Sequence, residues 1–428
     1  MNISSVTLSN FKGIKDKVTI DIKPITVFIG PNSSGKSSIL HAIATLSQTI
    51  KIVNNTKPLV LDDDQASVHL GRFIDVIHTK KYTDSIGLGL NIDHAKIRKV
   101  DIKKNSKGKD EAHETIIDGP INFYMDFKCV KISQEIFINN GEFNFGNDKY
   151  AINKTKDGYA LINSDVGINQ NIFFTDSFLT DLSGVFNPSM KNPFQLIPFI
   201  ENMNNLRTAL KDIRYLGPFR QPPQRNYRTM GSNPIEVGSM GEHTVSLLSN
   251  ELMQTRTRDH ITQIKQWLIK LGLAKGVDVN RVTKTDMFNI DMQLFDDEVF
   301  SIANLGYGLS QILPVLTQCS YANNNSTLLF EQPEIHLHPL AAEHLSEVFV
   351  DIHKNRNVTS IIETHSDKLV SGFIRAIREK KLDLENFAFY RVNRKNKKTQ
   401  FERIEIINES GDIDIYGNNW RKDFSEQI

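Results

Sequence analysis

Residues 25–38 read ITVFIGPNSSGKSS, and the reading of the whole chain turns on them. Ile25 to Ile29 is a run of apolar and β-branched residues, the pattern of a buried strand. Gly30 opens Gly-Pro-Asn-Ser-Ser-Gly-Lys-Ser, which satisfies G-x-x-x-x-G-K-[ST] at every fixed position. Ser37, Ser38, Ile39, Leu40, Ala42, Ile43 and Leu46 then continue as a helix. Gly30 and Gly35 let the backbone turn so that successive N–H groups face one point, a nest for phosphate oxygens. The helix start near Lys36 adds unpaired N–H groups and a positive dipole end. Lys36 suits the β- and γ-phosphates, and the Ser37 hydroxyl suits Mg²⁺. The bland alternative is a glycine-rich turn; the strand before it and the helix after it argue against that.

Upstream, Ile3–Leu8 and Val18–Ile22 alternate as two strands of a hairpin. Lys12, between them, reads equally as a nucleotide-facing lysine or a solvated turn lysine. Downstream, Asp62-Asp63-Asp64 is expected to be a solvated loop, because three adjacent aspartates do not all face one ion. Residues 86–175 are β-rich, with Ile86–Ile92, Ile121–Phe127 and Ile136–Ile138 as strands and Asn-Gly 140–141 and Asp-Gly 157–158 as hairpin turns. Lys96, Arg98, Lys99, Lys103, Lys104, Lys107 and Lys109 lie between the first two strands. A phosphate-contacting patch is one reading; a solvated loop, diluted by Asp101 and Asp110, is the preferred one. Phe194–Asp212 has helical spacing, Arg214–Tyr227 is a Gly/Pro-marked loop, and Gly241–Leu273 reads as one helical stretch, too short for a coiled-coil arm.

The C-terminal third alternates strand and helix. Phe288–Phe295 and Glu298–Ile302 read as strands, followed by Asn-Leu-Gly-Tyr-Gly-Leu-Ser-Gln over 304–311 and a helix to about Ser320. Thr327–Phe330 is an apolar strand ending in Glu-Gln-Pro-Glu-Ile-His-Leu-His-Pro over 331–339. Val358–Ile362 is another, ending in Glu363-Thr364-His365-Ser366, and amphipathic helices follow both. Such alternation predicts a mainly parallel sheet with its site at the carboxyl edge.

The 428 residues suffice for two or three domains or for one large head with insertions. With 39% hydrophobic and 24% charged residues the composition is that of an ordinary soluble protein, and a net charge of +1 supplies no global pull toward nucleic acid or membrane. The two cysteines, Cys129 and Cys319, have no partner spacing, so a disulfide framework or zinc site is not expected and a reducing cytoplasm is. No apolar run approaches the roughly 20 residues that span a bilayer, and the N-terminus does not read as a signal peptide.

Taken in order, these motifs resemble the ABC-type ATPases of the SMC, RecF and OLD branch, and among them prokaryotic ATPases with an EQPE-HLHP acidic motif, many associated with anti-phage defence. The likeness covers residues 1–48 and 300–375, and reaches the middle through LGPFRQPPQRNY (216–227), similar to that group's LGP-R-P-R-Y loop. Ser310 precedes Glu331 by 21 residues and His365 follows it by 34, gaps that suit helix-then-strand connections. The resemblance implies an α/β ABC-type P-loop ATPase head with a mainly parallel core sheet, an antiparallel β subdomain and a helical insertion. It implies the segments 1–85 (first part of the head), 86–192 (β-rich insertion), 193–285 (helical insertion) and 286–428 (second part of the head).

By the same resemblance Gly30, Asn32, Ser33, Gly35, Lys36, Ser37 and Ser38 form the phosphate loop for ATP and Mg²⁺. Gln221 takes the position of the Q-loop glutamine on the metal, or is only solvated; Glu331 takes that of the metal-shell aspartate. Gly308 and Ser310, within GYGLSQ, are similar to the signature loop that closes on nucleotide held by a second copy, and the following helix start suits that task. His336–Pro339 is similar to the D-loop and His365 to the switch histidine. Glu331 replaces the usual aspartate, and Gln332 replaces the usual glutamate base with an amide that accepts no proton from water. Glu334 and Glu363 are the nearby carboxylates that would compensate.

Glu334, His336 and His338 also suggest a metal site, but the D-loop reading accounts for them. Asp412-Ile413-Asp414 resembles a TOPRIM aspartate pair; with only 63 residues after His365, a terminal hairpin is expected and not a nuclease. The functional expectation is an ATPase that pairs its heads on ATP and works with a separate effector such as a nuclease, with DNA as a further partner and no membrane. The alternatives are a DNA-repair ATPase, a scaffold that barely hydrolyses, and a transporter ATPase.

Overall fold

The computed structural model describes residues 2–52, 57–104, 110–156, 158–163, 168–172, 196–228, 233–254 and 257–406. The first elements are β1 (Asn2–Ser9), β2 (Val18–Asp21), β3 (Ile25–Ile29), α1 (Ser37–Lys51), α2 (Phe73–Val76), β4 (Ile86–Lys104), β5 (Asp110–Cys129), β6 (Ile136–Phe145), β7 (Asp148–Thr155), β8 (Gly158–Asn163) and β9 (Ile168–Ile172). They are followed by α3 (Ile197–Lys211), β10 (Ile213–Leu216), β11 (Tyr227–Arg228), α4 (Thr244–Gln254), α5 (Asp259–Lys270), β12 (Gly276–Arg281), β13 (Met287–Gln293) and β14 (Val299–Ser301). The last are α6 (Tyr307–Ser320), β15 (Thr327–Glu331), α7 (Pro339–Arg356), β16 (Thr359–Glu363), α8 (Asp367–Arg378), β17 (Phe387–Lys395) and β18 (Lys398–Arg403). The chain forms two compact units, one of Met1–Ile22, Ser38–Ile213 and Arg394–Gln400, the other of Lys23–Ser37, Arg214–Asn393 and Phe401–Ile428.

The first unit is built on an antiparallel sheet of order β2-β1-β4-β5-β6-β7-β8-β9. β1 and β2 pair through Ser5–Asp21 to Leu8–Val18, the hairpin expected from the alternation. Phe199 of α3 packs its ring on Phe143, Phe145 and Tyr150, with centroids 4.9–6.2 Å apart, so the helix caps an aromatic face of the sheet. The basic run expected as a solvated loop is instead strand: β4 continues through Lys96, Arg98 and Lys99 to Lys104. Alternation explains this, because Ile97 is fully buried between solvent-directed cations, and Arg98 pairs with Glu201 of α3. Lys107 and Lys109 lie outside the described residues. Lys12 hydrogen-bonds His41 of α1, which answers neither of its two sequence readings alone. Asp62 pairs with His69, and Asp63 accepts from the Gln65 N–H, so the aspartate triplet is loop structure.

The second unit holds the core sheet, of order β10-β15-β16-β3-β17-β18. β15, β16, β3 and β17 run parallel, as their register shows: Leu329–Ile361, Ile361–Thr26 and Phe389–Val27 are partners. β3, β15 and β16 are buried at every position, which is why each reads as an unbroken apolar run. Phe330, Phe349, Phe373 and Phe387 form a chain of ring contacts 5.3–6.1 Å apart from β15 through α7 and α8 to β17. α7 ends at Asn357 in the left-handed region, and α8 starts on a Ser366 cap that accepts from the Leu369 N–H. The stretch expected as one helix over 241–273 is two, α4 and α5, the second turned so that Ile261, Ile264, Trp267 and Leu268 face the core. β12, β13, β14 and β11 make a small antiparallel sheet. Asp412–Asp414 lies outside the described residues.

Candidate functional site

The loop after β3 adopts the backbone its glycines predict. Gly30 has φ +150° and Gly35 φ +103°, values that side-chain-bearing residues avoid. A Cβ on Gly30 would stand 2.1 Å from the Val392 carbonyl of β17, so close strand approach also demands glycine there. Asn32 and Ser33 form the exposed tip, with Ser33 left-handed at φ +60°. Lys36 is buried, its Nζ donating to the carbonyls of Gly30 and Pro31 at 2.9 Å each and lying 3.9 Å from Glu363 Oε1. Burial pulls the Lys36 pKa down, and Glu363 and Glu331 oppose that pull. Ser37 is the first residue of α1 and Ser38 the second.

Strand order brings three carboxylates to this loop. Glu331 ends β15 and Glu363 ends β16, and the two are register partners on adjacent parallel strands, with Phe28 of β3 the next neighbour of Glu363. Both are buried, with 6% and 5% of their surface exposed, far below what a carboxylate normally keeps. Glu331 Oε1 accepts from the Tyr215 hydroxyl at 2.8 Å. Burial, then Glu331, pushes the Glu363 carboxyl up to about 7, against the Ser37 hydroxyl and Lys36 beside it. Burial and Glu331 likewise push the Tyr215 phenol up, so it stays a neutral donor. Glu334 is buried, its Oε1 accepting from the Thr364 hydroxyl and from the His365 N–H at 3.3 Å. Burial raises its pKa, opposed first by the Thr364 hydrogen bond.

Gln332 is held by its backbone. Its N–H donates to the Glu363 carbonyl at 2.8 Å and its φ is +46°, a left-handed turn that carries the chain off the sheet edge. Its half-buried side chain lines a cleft of about 310 Å³ together with Glu334, Leu337, His365 and Asp367. Lys36, Glu331, Gln332, Glu334 and His365 are therefore gathered at one end of one sheet.

Other expected residues fall differently. Gln221 is exposed, and its neighbour Arg220 enters the site: the buried guanidinium donates to the carbonyls of Glu331 and Gln332, both at 3.1 Å. Burial brings the Arg220 pKa down to about 10, with Glu334 opposing. Ser310 is buried in the first turn of α6 and its hydroxyl donates to the Tyr307 carbonyl at 2.9 Å, so the exposed residues of this stretch are Gly306 and Tyr307. Gly308 packs closely on the chain, a Cβ there lying 2.9 Å from the His336 carbonyl. His338 caps α7 by accepting from the Leu340 N–H, while His336 is exposed, its ring tilted at 45° to that of Tyr307 with centroids 5.9 Å apart. The Glu334–His336–His338 run thus does its work separately, residue by residue. Nothing in the sequence marks Tyr215 as a site residue, and the signal for Arg220 is its place in Leu-Gly-Pro-Phe-Arg.

The oxygens present suit a hard cation: the Ser37 hydroxyl and the Glu331 and Glu363 carboxylates are the ligand types that Mg²⁺ takes. The loop N–H groups, Lys36 and the start of α1 suit phosphates. Among solved structures, the chain is similar to an SMC head crystallised with the C-terminal winged-helix domain of ScpA, at 12% identity over 95% of this chain and 99% of that one, with a TM-score of 0.52. An SMC head domain from Thermotoga maritima aligns at 11% identity over 95% and 100% of the two chains, with a TM-score of 0.43. At such identity the first likeness speaks for the fold, that of an SMC-type ATPase head. No curated protein matches the sequence. The model of the AAA ATPase domain family AAA_15 matches residues 1–370. A phosphate loop, two strand-end carboxylates and that match over most of the length lead to one assignment: the chain belongs to the AAA_15 family of AAA ATPase domains.

Proposed function

We propose that this chain is an ABC-type ATPase subunit that binds Mg²⁺-ATP, hydrolyses it slowly, and changes state by ATP-driven pairing of two heads. Its setting is cytoplasmic, in a prokaryotic anti-phage system whose separate effector supplies nuclease chemistry. The observation that carries the reading is the convergence of Lys36 and Ser37 with the strand-end carboxylates Glu331 and Glu363, next to an amide, Gln332, where a proton acceptor belongs. The resemblance to defence ATPases supports the setting. Among the described residues no helix is long and apolar enough to cross a membrane.

The division of labour follows from the chemistry of each group. The Gly30–Ser37 amides and Lys36 bind and orient the phosphates. Ser37 and Glu331 would hold Mg²⁺, which would supply neutralisation of charge on the β- and γ-phosphates. Gln332 can orient a water in the 310 Å³ cleft but cannot take its proton. Glu334 Oε1 accepts from the Thr364 hydroxyl and the His365 N–H, while its Oε2 is buried with no hydrogen-bond partner among the described residues, which makes it the carboxylate to test as a displaced base. Losing a general base costs about 10²–10⁴ in rate, so the ATP-bound state outlasts that of a motor. The exposed Gly306 and Tyr307, at the start of α6, are the surface for the γ-phosphate held by a second copy.

The test compares ATP turnover in the wild type, Gln332→Glu and Glu334→Gln. The slow-switch reading expects Gln332→Glu to accelerate turnover by about 10²–10⁴ and Glu334→Gln to change it little. A fast wild type that Glu334→Gln stops would show that the base has moved. Strong metal-dependent cleavage of DNA by this chain alone would remove the separate effector.

A further inference from the structure

Glu363 has no place in the motifs read from the sequence except as a spare carboxylate, yet its position is specific. It is the register partner of Glu331 on the adjacent parallel strand, so the two side chains leave the sheet edge together. Its Oε1 lies 3.9 Å from Lys36 Nζ, which directs the side chain at the phosphate loop, and the Ser37 hydroxyl sits beside it. Its Oε2 is buried and has no hydrogen-bond partner among the described residues. A buried carboxylate oxygen without a donor is costly and calls for a bound ion or a catalytic role to explain it; Glu334 Oε2 is in the same condition but belongs to the cleft, whereas Glu363 stands at Lys36.

We propose that Glu363 is a second carboxylate of the cation seat, holding Mg²⁺ together with Ser37 and Glu331 when nucleotide is bound. This rests on the reading of the loop as an ATP site. Three hard oxygen donors from three adjacent elements leave room for phosphate oxygens and water, the arrangement Mg²⁺ favours. The opposed role, a displaced general base, asks Glu363 to face the attacking water; its side chain instead meets Lys36, Ser37 and Glu331, on the metal and phosphate side, while Gln332 and Glu334 line the cleft and Glu363 does not. A second carboxylate also accounts for the tolerance of glutamate at 331, since the longer arm need not fix the cation alone.

Calorimetric titration of the full chain with ADP, once in Mg²⁺ and once in EDTA, reads the seat without relying on turnover. The wild type should bind ADP more tightly in Mg²⁺. In Glu363→Gln that Mg²⁺-dependent gain should fall at least tenfold while affinity in EDTA stays the same or improves. Glu363→Asp, which keeps the charge, should retain part of the gain; its folding serves as a control if the glutamine variant is unstable. Mn²⁺ electron paramagnetic resonance with ADP should show tight Mn²⁺ in the wild type and lose it in Glu363→Gln. An unchanged Mg²⁺ gain in Glu363→Gln overturns the proposal, and if turnover also stops, Glu363 is the base. A wild type that binds no nucleotide in either buffer overturns the ATP reading itself, and the seat with it; Lys36→Ala, expected to lose binding in both buffers, marks that case.

Discussion

Replacing Tyr215 by phenylalanine removes one oxygen from the buried floor of the site and leaves the ring in place. In the wild type that hydroxyl donates to Glu331 Oε1 at 2.8 Å, with both residues buried. A hydrogen bond to a charged group contributes about 1.5–3 kcal/mol, because the acceptor left behind keeps its desolvation cost. Tyr215→Phe should therefore destabilise the second unit by about that amount. In a Glu331→Gln background the same change breaks a neutral bond and should cost about 0.5–1.5 kcal/mol. The coupling between the two sites is then about 1–2 kcal/mol, well above the few tenths expected of independent positions. Urea unfolding of the four proteins, read from the buried Trp267 in the core of that unit, measures it. Additive costs would refute the claim that Tyr215 acts through the Glu331 carboxylate. Nucleotide binding by Tyr215→Phe should survive, because the phosphate loop is not touched.

Gly306→Arg should block ATP-driven pairing in sedimentation while leaving ATP binding intact, since this exposed position has nothing within 4 Å of an added Cβ; pairing that persists would move the trans contact elsewhere. His353 should make the fold sensitive to mild acid. Burial holds its pKa below the ordinary 6.5, with the Val358 backbone and Asp383 opposing and Lys354 adding to the pull. As pH falls below about 6.5 the unfolded chain takes up a proton that the folded chain refuses, so stability is lost through that window. His353→Gln should flatten the slope of stability against pH between about 7 and 5.5, and an unchanged slope would exclude the histidine as its source.

The phosphate loop was legible because every determinant is local: an apolar strand, two glycines, a lysine, a serine and a helix within 25–46. The parallel sheet was legible for a related reason, since β3, β15 and β16 are buried on both faces and carry no alternation. What the linear sequence withholds is who stands beside whom. Glu363 meets Lys36 only because β16 inserts between β15 and β3, and Tyr215 and Arg220 reach Glu331 from more than 100 residues away. Ser310 illustrates a second limit: GYGLSQ marks a helix start, but helix phase decides that the serine turns inward. The basic run of β4 illustrates a third, because its charge density outweighed the alternation around Ile97 that makes it a strand.

The central claim is that Gly30–Ser37 is an ATP site, and thermal unfolding with and without Mg²⁺-ATP tests it most directly. A ligand at about 100 times its Kd stabilises the folded state by about 2.7 kcal/mol, a rise in Tm of several degrees. Lys36→Ala removes the ammonium that is held against the Gly30 and Pro31 carbonyls and offered to phosphate. The account predicts a clear Mg²⁺-ATP-induced rise in the wild type and none in Lys36→Ala; an equal rise in both would contradict it.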